Sequence, residues 1–269
     1  MSESGSAMSE IGKFPRRIVS LTPSLTETLF ALESGHRVVG VTDSCDYPAE
    51  VKGWPHVACW FDPDLEKLVA LKPDIVFGLQ TAHSQFKLKL ESEGIRVILV
   101  NPITVNEAIT DIARLGKMLG VRRPSEILVD NLRSRLCGLD NRVSAIKIES
   151  KPTVCRILDI EDGQFHVAGP LSFQYDIISR AGGQNVTSSI QEAYPKIRLT
   201  RLRQWNPQVV FNCGFDLNVL PVVVNKPEWR SLKAVQSGNV FTFDCNLTCR
   251  TGPRIVEMVE LLFNTLYGI

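Results

Sequence analysis

LVALKPDIVF at residues 68–77 and LRQWNPQVVF at residues 202–211 share one plan: a helix end, a proline stop and a buried strand. Proline cannot continue a helix, and the β-branched run after it suits a strand covered on both faces. Further along, each stretch is followed by strand, loop and helix. These are RVILV, NPIT and VNEAI (96–109) in the first case, and NVFTF, DCNLTCRTG and PRIVEM (239–258) in the second. The repeated order predicts two lobes of similar plan.

The same alternation extends outward. RIVSL (17–21) reads as a buried strand that stops at Thr22-Pro23, and Ser24 with Glu27 forms a capping box opening a helix to about Ser34. RVVGVT (37–42) is a second strand. Asp62 and Pro63 open a helix that closes at Lys72-Pro73, residues 82–93 are helical, and Thr104 with Glu107 caps a helix to about Leu119. Strands alternating with helices predict an α/β fold of two lobes, each a mostly parallel sheet flanked by helices. From Pro124 to Glu149, apolar Leu128, Leu132, Leu136, Leu139, Val143 and Ile146 recur every three or four residues, one continuous helical face. About 25 residues at 1.5 Å each would span roughly 38 Å, a rigid strut whose weak point is Gly138. The expected plan is a disordered 1–14, an N-terminal lobe 15–121, a linking helix 122–150 and a C-terminal lobe 151–269.

The 269 residues are 44% hydrophobic and 22% charged, with a net charge of +1. That near-neutrality offers no general attraction for nucleic acid, and no apolar run approaches the roughly 18–20 residues that insert into a bilayer. A monomer with neither partner is expected. MSESGSAMSEIGKF (1–14) lacks the apolar stretch of a secretory leader. As it stands the sequence points to the cytoplasm; a leader removed beforehand would make the protein periplasmic or membrane-anchored. The seven cysteines are scattered, and Cys155 and Cys213 read as buried strand residues, which suits a reducing compartment. Cys245 and Cys249 stand four apart without a histidine pair, and Cys45 and Cys59 are not spaced as ligands, so no metal site is expected. No nucleophile has a base and an orienting acid beside it in any recognisable motif, so no catalytic residue is expected either.

RIVSLTPSLTETLFAL (17–32), VTDSCDYPAE (41–50), WFDPDLEKLVALKPDIVF (60–77), AGPLSFQYDIISRAGGQNV (168–186) and RTGPRIVE (250–257), in that order, resemble the class III helical-backbone substrate-binding proteins, above all the cobalamin-binding branch that serves bacterial vitamin uptake ABC transporters. The resemblance covers nearly the whole chain from Arg17 on. It implies a bilobal α/β fold with little domain motion, no catalysis, and a cobalamin or related corrinoid, a small-molecule metal chelate, held in a cleft lined by strand-end loops. A corrin is a flat, partly apolar disc edged with amides, which calls for aromatic faces and scattered polar groups. The expected ligand-binding residues are Ser24, Cys45, Asp46, Tyr47, Trp60 and His83 in the first lobe. In the second they are Phe173, Gln174, Phe215, Asn246, Leu247 and Arg250. Trp60 matches a family position that contacts the corrin, whereas Ser44 stands where the family has a contacting tyrosine. His83 follows a strand end as a lone loop histidine. Glu66 matches the first-lobe glutamate that meets a permease arginine, while Thr200, Arg201 and Arg203 occupy the segment of the second-lobe partner glutamate. An ABC permease is therefore an expected partner with weakened docking. The alternatives are an iron-siderophore or haem receptor of an ABC importer, a cytosolic chelate-binding protein, or a metallocluster enzyme with cysteines drawn from both lobes.

Overall fold

The computed structural model describes residues 14–214 and 224–269. The chain divides into two compact units, Met1–Pro102 with Ala108–Leu132, and Ile103–Glu107 with Arg133–Ile269. The first carries a four-stranded sheet in the order β2-β1-β3-β4, formed by β1 (Ile18–Ser20), β2 (Val38–Val41), β3 (Ile75–Leu79) and β4 (Arg96–Val100). All its pairings are parallel. Their carboxyl ends therefore share one edge, where backbone groups and loops are free for function. Helices α1 (Pro23–Ala31), α2 (Leu65–Ala70), α3 (Gln80–Ser92) and α4 (Val105–Leu119) alternate with these strands. Val19, Leu21, Val57, Leu68, Val76, Leu90 and Val97 fill one core layer.

The helix starts correct two expectations. α1 is capped by Thr22, whose hydroxyl accepts from the Leu25 amide at 3.3 Å, and Ser24 lies inside the first turn. Pro23 decides this, because a proline at the first helical position fixes the boundary just before it. α2 is capped by Asp64 and not Asp62, since Pro63 is held in a bridge with Ala58. The box at Thr104 forms as expected: its hydroxyl accepts from the Glu107 amide, and the Glu107 carboxylate accepts from the Ile103 amide at 2.7 Å.

The second unit departs from a parallel plan. Its six-stranded sheet runs β10-β9-β5-β6-β8, with β7 (Gln184–Asn185) beside β5 (Thr153–Glu161). β5 pairs parallel with β9 (Val209–Cys213), which pairs parallel with β10 (Val240–Phe243). Beyond Arg156 it turns to antiparallel pairing with β6 (Gln164–Val167), which continues to β8 (Lys196–Arg198). Asp162 and Gly163 make that hairpin, both at positive φ (50° and 72°), as a tight two-residue turn demands. The two proline stops are alike in detail: Lys72 and Asn206, each preceding its proline, both sit at φ 46°. Among the described residues, further helices are α6 (Phe173–Arg180), α7 (Leu199–Trp205), α8 (Lys233–Gln236), α9 (Cys245–Thr248) and α10 (Ile255–Tyr267).

The expected strut is a 23-residue helix α5, Arg122–Ser144, followed by a short turn at Ile148–Ser150. Its apolar stripe is covered, with Val129, Leu132, Leu136, Leu139 and Val143 all buried. In the second unit Arg135 makes a two-pronged ion pair with Glu260 (3.0 and 2.6 Å), and the Arg142 guanidinium lies 4.3 Å from the centre of the Phe263 ring. One face of α5 is therefore buried, and its second half is fixed by these contacts within the second unit.

Candidate functional site

In the first unit, three loops leave the carboxyl edge of the sheet. After β1, Ser20, Thr22, Ser24 and Thr26 form a buried hydroxyl cluster. Thr26 donates to the Ser20 hydroxyl at 2.8 Å and meets the Cys45 sulfur at 3.2 Å. Cys45 also lies 3.4 Å from the Thr42 hydroxyl. Ser24 and Cys45 are thus buried structural groups, while Tyr47 in the same loop is 49% exposed and Asp46 is half-buried.

The loop carrying Trp60 is closed at its base by the Ala58–Pro63 bridge, with Ala58 at φ 69°. Its tip presents Trp60 and Phe61 as a tilted pair with ring centres 3.9 Å apart, and Phe61 is 60% exposed. It is tied to the neighbouring loop, since the Asp43 amide donates to the Ala58 carbonyl at 3.1 Å. A short hydrogen bond of 2.5 Å from the His83 Nε2–H to the Trp60 carbonyl anchors it. The expectation of a lone loop histidine is corrected: His83 lies on α3, is buried, and spends both ring nitrogens on backbone, Nδ1 accepting from the Leu79 amide at 3.0 Å. That amide fixes the tautomer, leaving Nε2 as the donor.

Burial holds the His83 pKa below its ordinary 6.5, and the Trp60 carbonyl opposes this without reversing it. Below pH 6.5 the unfolded chain takes up a proton that the buried ring refuses. This contribution is therefore complete above that pH and is lost as pH falls through the depressed native value. Urea titrations between about pH 7 and pH 5 are expected to give falling midpoints, with a smaller slope in His83→Gln. Equal slopes would remove His83 from that account.

Glu66 is exposed on α2 and lines a groove of about 420 Å³ with Leu65, Val69, Lys89 and Glu93. In the second unit, the basic segment is engaged locally. Lys196 pairs with Glu161 at 2.7 Å, Arg201 stacks 4.9 Å from the Trp205 ring centre, and Arg203 bonds the Glu228 carbonyl.

The loops of the second unit hold the other expected residues, except Phe215, which lies outside the described residues. Ser172 caps α6, and Phe173 and Gln174 are buried, Gln174 accepting from the Tyr194 hydroxyl at 3.0 Å. Tyr194 and Leu171, both exposed, were not expected from the sequence. Asp244 caps α9, while Leu247 and Arg250 are buried and Arg250 donates to the Asn246 side chain at 2.5 Å. Asn246 is thereby oriented, whereas Leu247 packs into the core. Cys245 and Cys249 have a third sulfur beside them, since that of Cys213 stands 3.0 Å from that of Cys249.

The periplasmic binding protein family model matches residues 18–247. The chain belongs to that family. Its members are substrate-binding components of ABC transporters and not enzymes, which overturns the metallocluster-enzyme alternative. An uncharacterized ABC transporter substrate-binding lipoprotein of Bacillus subtilis is 28% identical over 96% of this chain and 82% of its own. The vitamin B12-binding protein of Salmonella paratyphi A is 26% identical over 93% of this chain and 90% of its own. Among solved structures, a periplasmic haem-binding protein of Pseudomonas aeruginosa superposes with a TM-score of 0.84 at 25% identity, covering 95% of this chain and 94% of that one. The α/β fold expected from the repeated proline stops is the family fold.

Proposed function

We propose that this chain is a receptor for a flat metal–organic macrocycle, with a cobalamin-like corrinoid as the cargo. The observation that carries this reading is the Trp60–Phe61 pair, two aromatic rings held out on a closed loop that is pinned from beneath by His83. Aromatic faces gain free energy by leaving water when they cover a flat apolar ligand, and a pre-set loop lowers the ordering penalty of binding. Tyr47, on the adjacent loop tied through Asp43, adds an exposed ring beside the half-buried Trp60 and the exposed Phe61. The B12-binding relative favours a corrinoid, and the haem-binding structure makes a porphyrin the second reading.

The test is to mix the protein separately with hydroxocobalamin, haem and a ferric siderophore and to follow retained colour through gel filtration. Retained cobalamin is the expected result. Trp60→Ala is expected to weaken it by about 1–3 kcal/mol, the scale of one aromatic contact. Retention of haem or siderophore with no retained cobalamin would reassign the cargo. Unchanged affinity in both Trp60→Ala and Phe61→Ala would take the platform out of the binding site.

A further inference from the structure

Three sulfurs converge at the carboxyl edge of the second unit's sheet. Cys213 ends β9. Cys245 and Cys249 are one helical turn apart on and just after α9, which follows the neighbouring strand β10. The Cys249 sulfur lies 3.0 Å from that of Cys213 and 3.7 Å from that of Cys245, and all three fall within 4.8 Å of one another. Thiolates sharing one ion at about 2.3 Å stand roughly 3.8–4.0 Å apart, so this spread is that of a ligand set with one pair to open slightly.

Beneath them, on β5, lies Arg156, 1% exposed. Its Nη2 reaches the sulfurs of Cys249 at 3.2 Å and Cys213 at 3.4 Å, and its Nη1 lies 3.4 Å from the Thr248 carbonyl. Its Nε is buried without a partner. A buried guanidinium with no carboxylate against it is costly unless negative charge accumulates beside it. Among the described residues, the groups in direct contact with Arg156 that can supply such charge are the Cys213 and Cys249 thiols.

We propose that Cys213, Cys245 and Cys249 form a three-thiolate site for a soft divalent cation of the zinc and cadmium kind, with Arg156 as its counter-charge. Three thiolates, one guanidinium and one divalent ion sum to zero charge, whereas a monovalent ion would leave the partly buried site negative. An all-sulfur set selects thiophilic metals over magnesium or calcium. Cys245 is buried and Cys213 half-buried, but Cys249 is exposed, which gives the ion an entry path. Binding is coupled to loss of the thiol protons to solvent. The proposal does not depend on the nature of the organic cargo.

The test uses the full chain, reduced and then freed of reductant without oxygen, with free thiols counted before titration with cobalt(II) and cadmium(II). One equivalent should bind and give sulfur-to-metal charge-transfer absorption, and the thermal midpoint should rise. Cys213→Ser, Cys245→Ser and Cys249→Ser should each abolish the band, while Cys137→Ser, on the exposed face of α5, should keep it. Arg156→Gln should weaken binding about 10–100-fold, as loss of an outer-shell partner does. Thermal melts of every variant without metal identify any that fail to fold, and the exposed Cys249→Ser provides the decisive comparison. A folded wild type with free thiols and no charge-transfer band overturns the proposal, as does a band that persists in Cys249→Ser. A disulfide among these cysteines that survives reduction overturns it equally.

Discussion

Trp229→Ala is expected to destabilise the second unit by about 3–5 kcal/mol, the range for deleting a large aromatic from a packed interior. Trp229 is 1% exposed and stands edge-on to Phe165, with ring centres 5.3 Å apart and planes at 85°. Around it lie Ile157, Val167, Leu202, Val210 and Leu232, all buried and drawn from both the parallel and the antiparallel part of the sheet. Ile157, Val167 and Val210 are fixed in strands and Leu202 in a helix, so these neighbours do not swing in to fill the space. The cavity cost therefore adds to the lost transfer energy. A thermal midpoint lower by on the order of 10 °C should follow in calorimetry. A loss under about 1 kcal/mol would mean that this core collapses onto the gap, and Trp229 would not be its keystone.

A side chain at Gly169 is expected to cost nearly as much for the opposite reason. A methyl there would stand 2.1 Å from the Glu192 carbonyl oxygen and 2.9 Å from a Pro195 ring carbon. The obstacle is backbone, and it is held in place: the Gly169 amide donates to the Ala193 carbonyl at 2.8 Å, and the Ser172 hydroxyl donates to the Gly169 carbonyl at 2.7 Å. Gly169→Ala must push the 192–195 segment away or unseat the start of α6, where the Asp176 carboxylate accepts from the Val105 amide at 2.7 Å. Overpacking against fixed backbone with loss of such bonds is worth about 3 kcal/mol. Urea denaturation should report it beside Gly53→Ala, which points a methyl into open space. Equal midpoints for the two variants would contradict the close approach.

Residues whose chemistry acts locally were legible without coordinates. Pro73 and Pro207 ended their helices, and Thr104 and Glu107 capped α4. Where two neighbouring residues could play one part, as Asp62 and Asp64 could, a bridge at Pro63 made the choice, and that contact has no local signature. The Asp162-Gly163 turn carried a hairpin signal that the expectation of mostly parallel sheets did not use. His83 could not be placed, because whether a ring is wet or buried depends on a loop more than twenty residues away. The cysteine trio required knowing that β9 and β10 are neighbours with the same direction, so that position 213 meets 245 and 249. Of the expected contact residues, Trp60 and Tyr47 are accessible, while Ser24, Cys45, Phe173, Gln174, Leu247 and Arg250 are buried. Sequence matching assigned positions to the site without telling its surface from its foundations.

The change of partner along β5 sets a timetable for the nascent chain. Its second half meets β6 across a two-residue turn and can zip up in microseconds, as soon as both are clear of the ribosome. Its first half meets the short β7 at Gln184–Asn185 on one side, but on the other must wait for β9, which begins only at Val209. At roughly 5–20 residues per second that delay lasts on the order of 3–10 seconds. Throughout it, Val154 and Cys155 border an unfinished sheet edge, the kind of surface on which chains stick to one another. Arg156, next to them in that edge, is a charge that a second chain could not readily bury. A charge placed there is the kind of residue that disfavours edge-to-edge pairing of chains before β9 arrives.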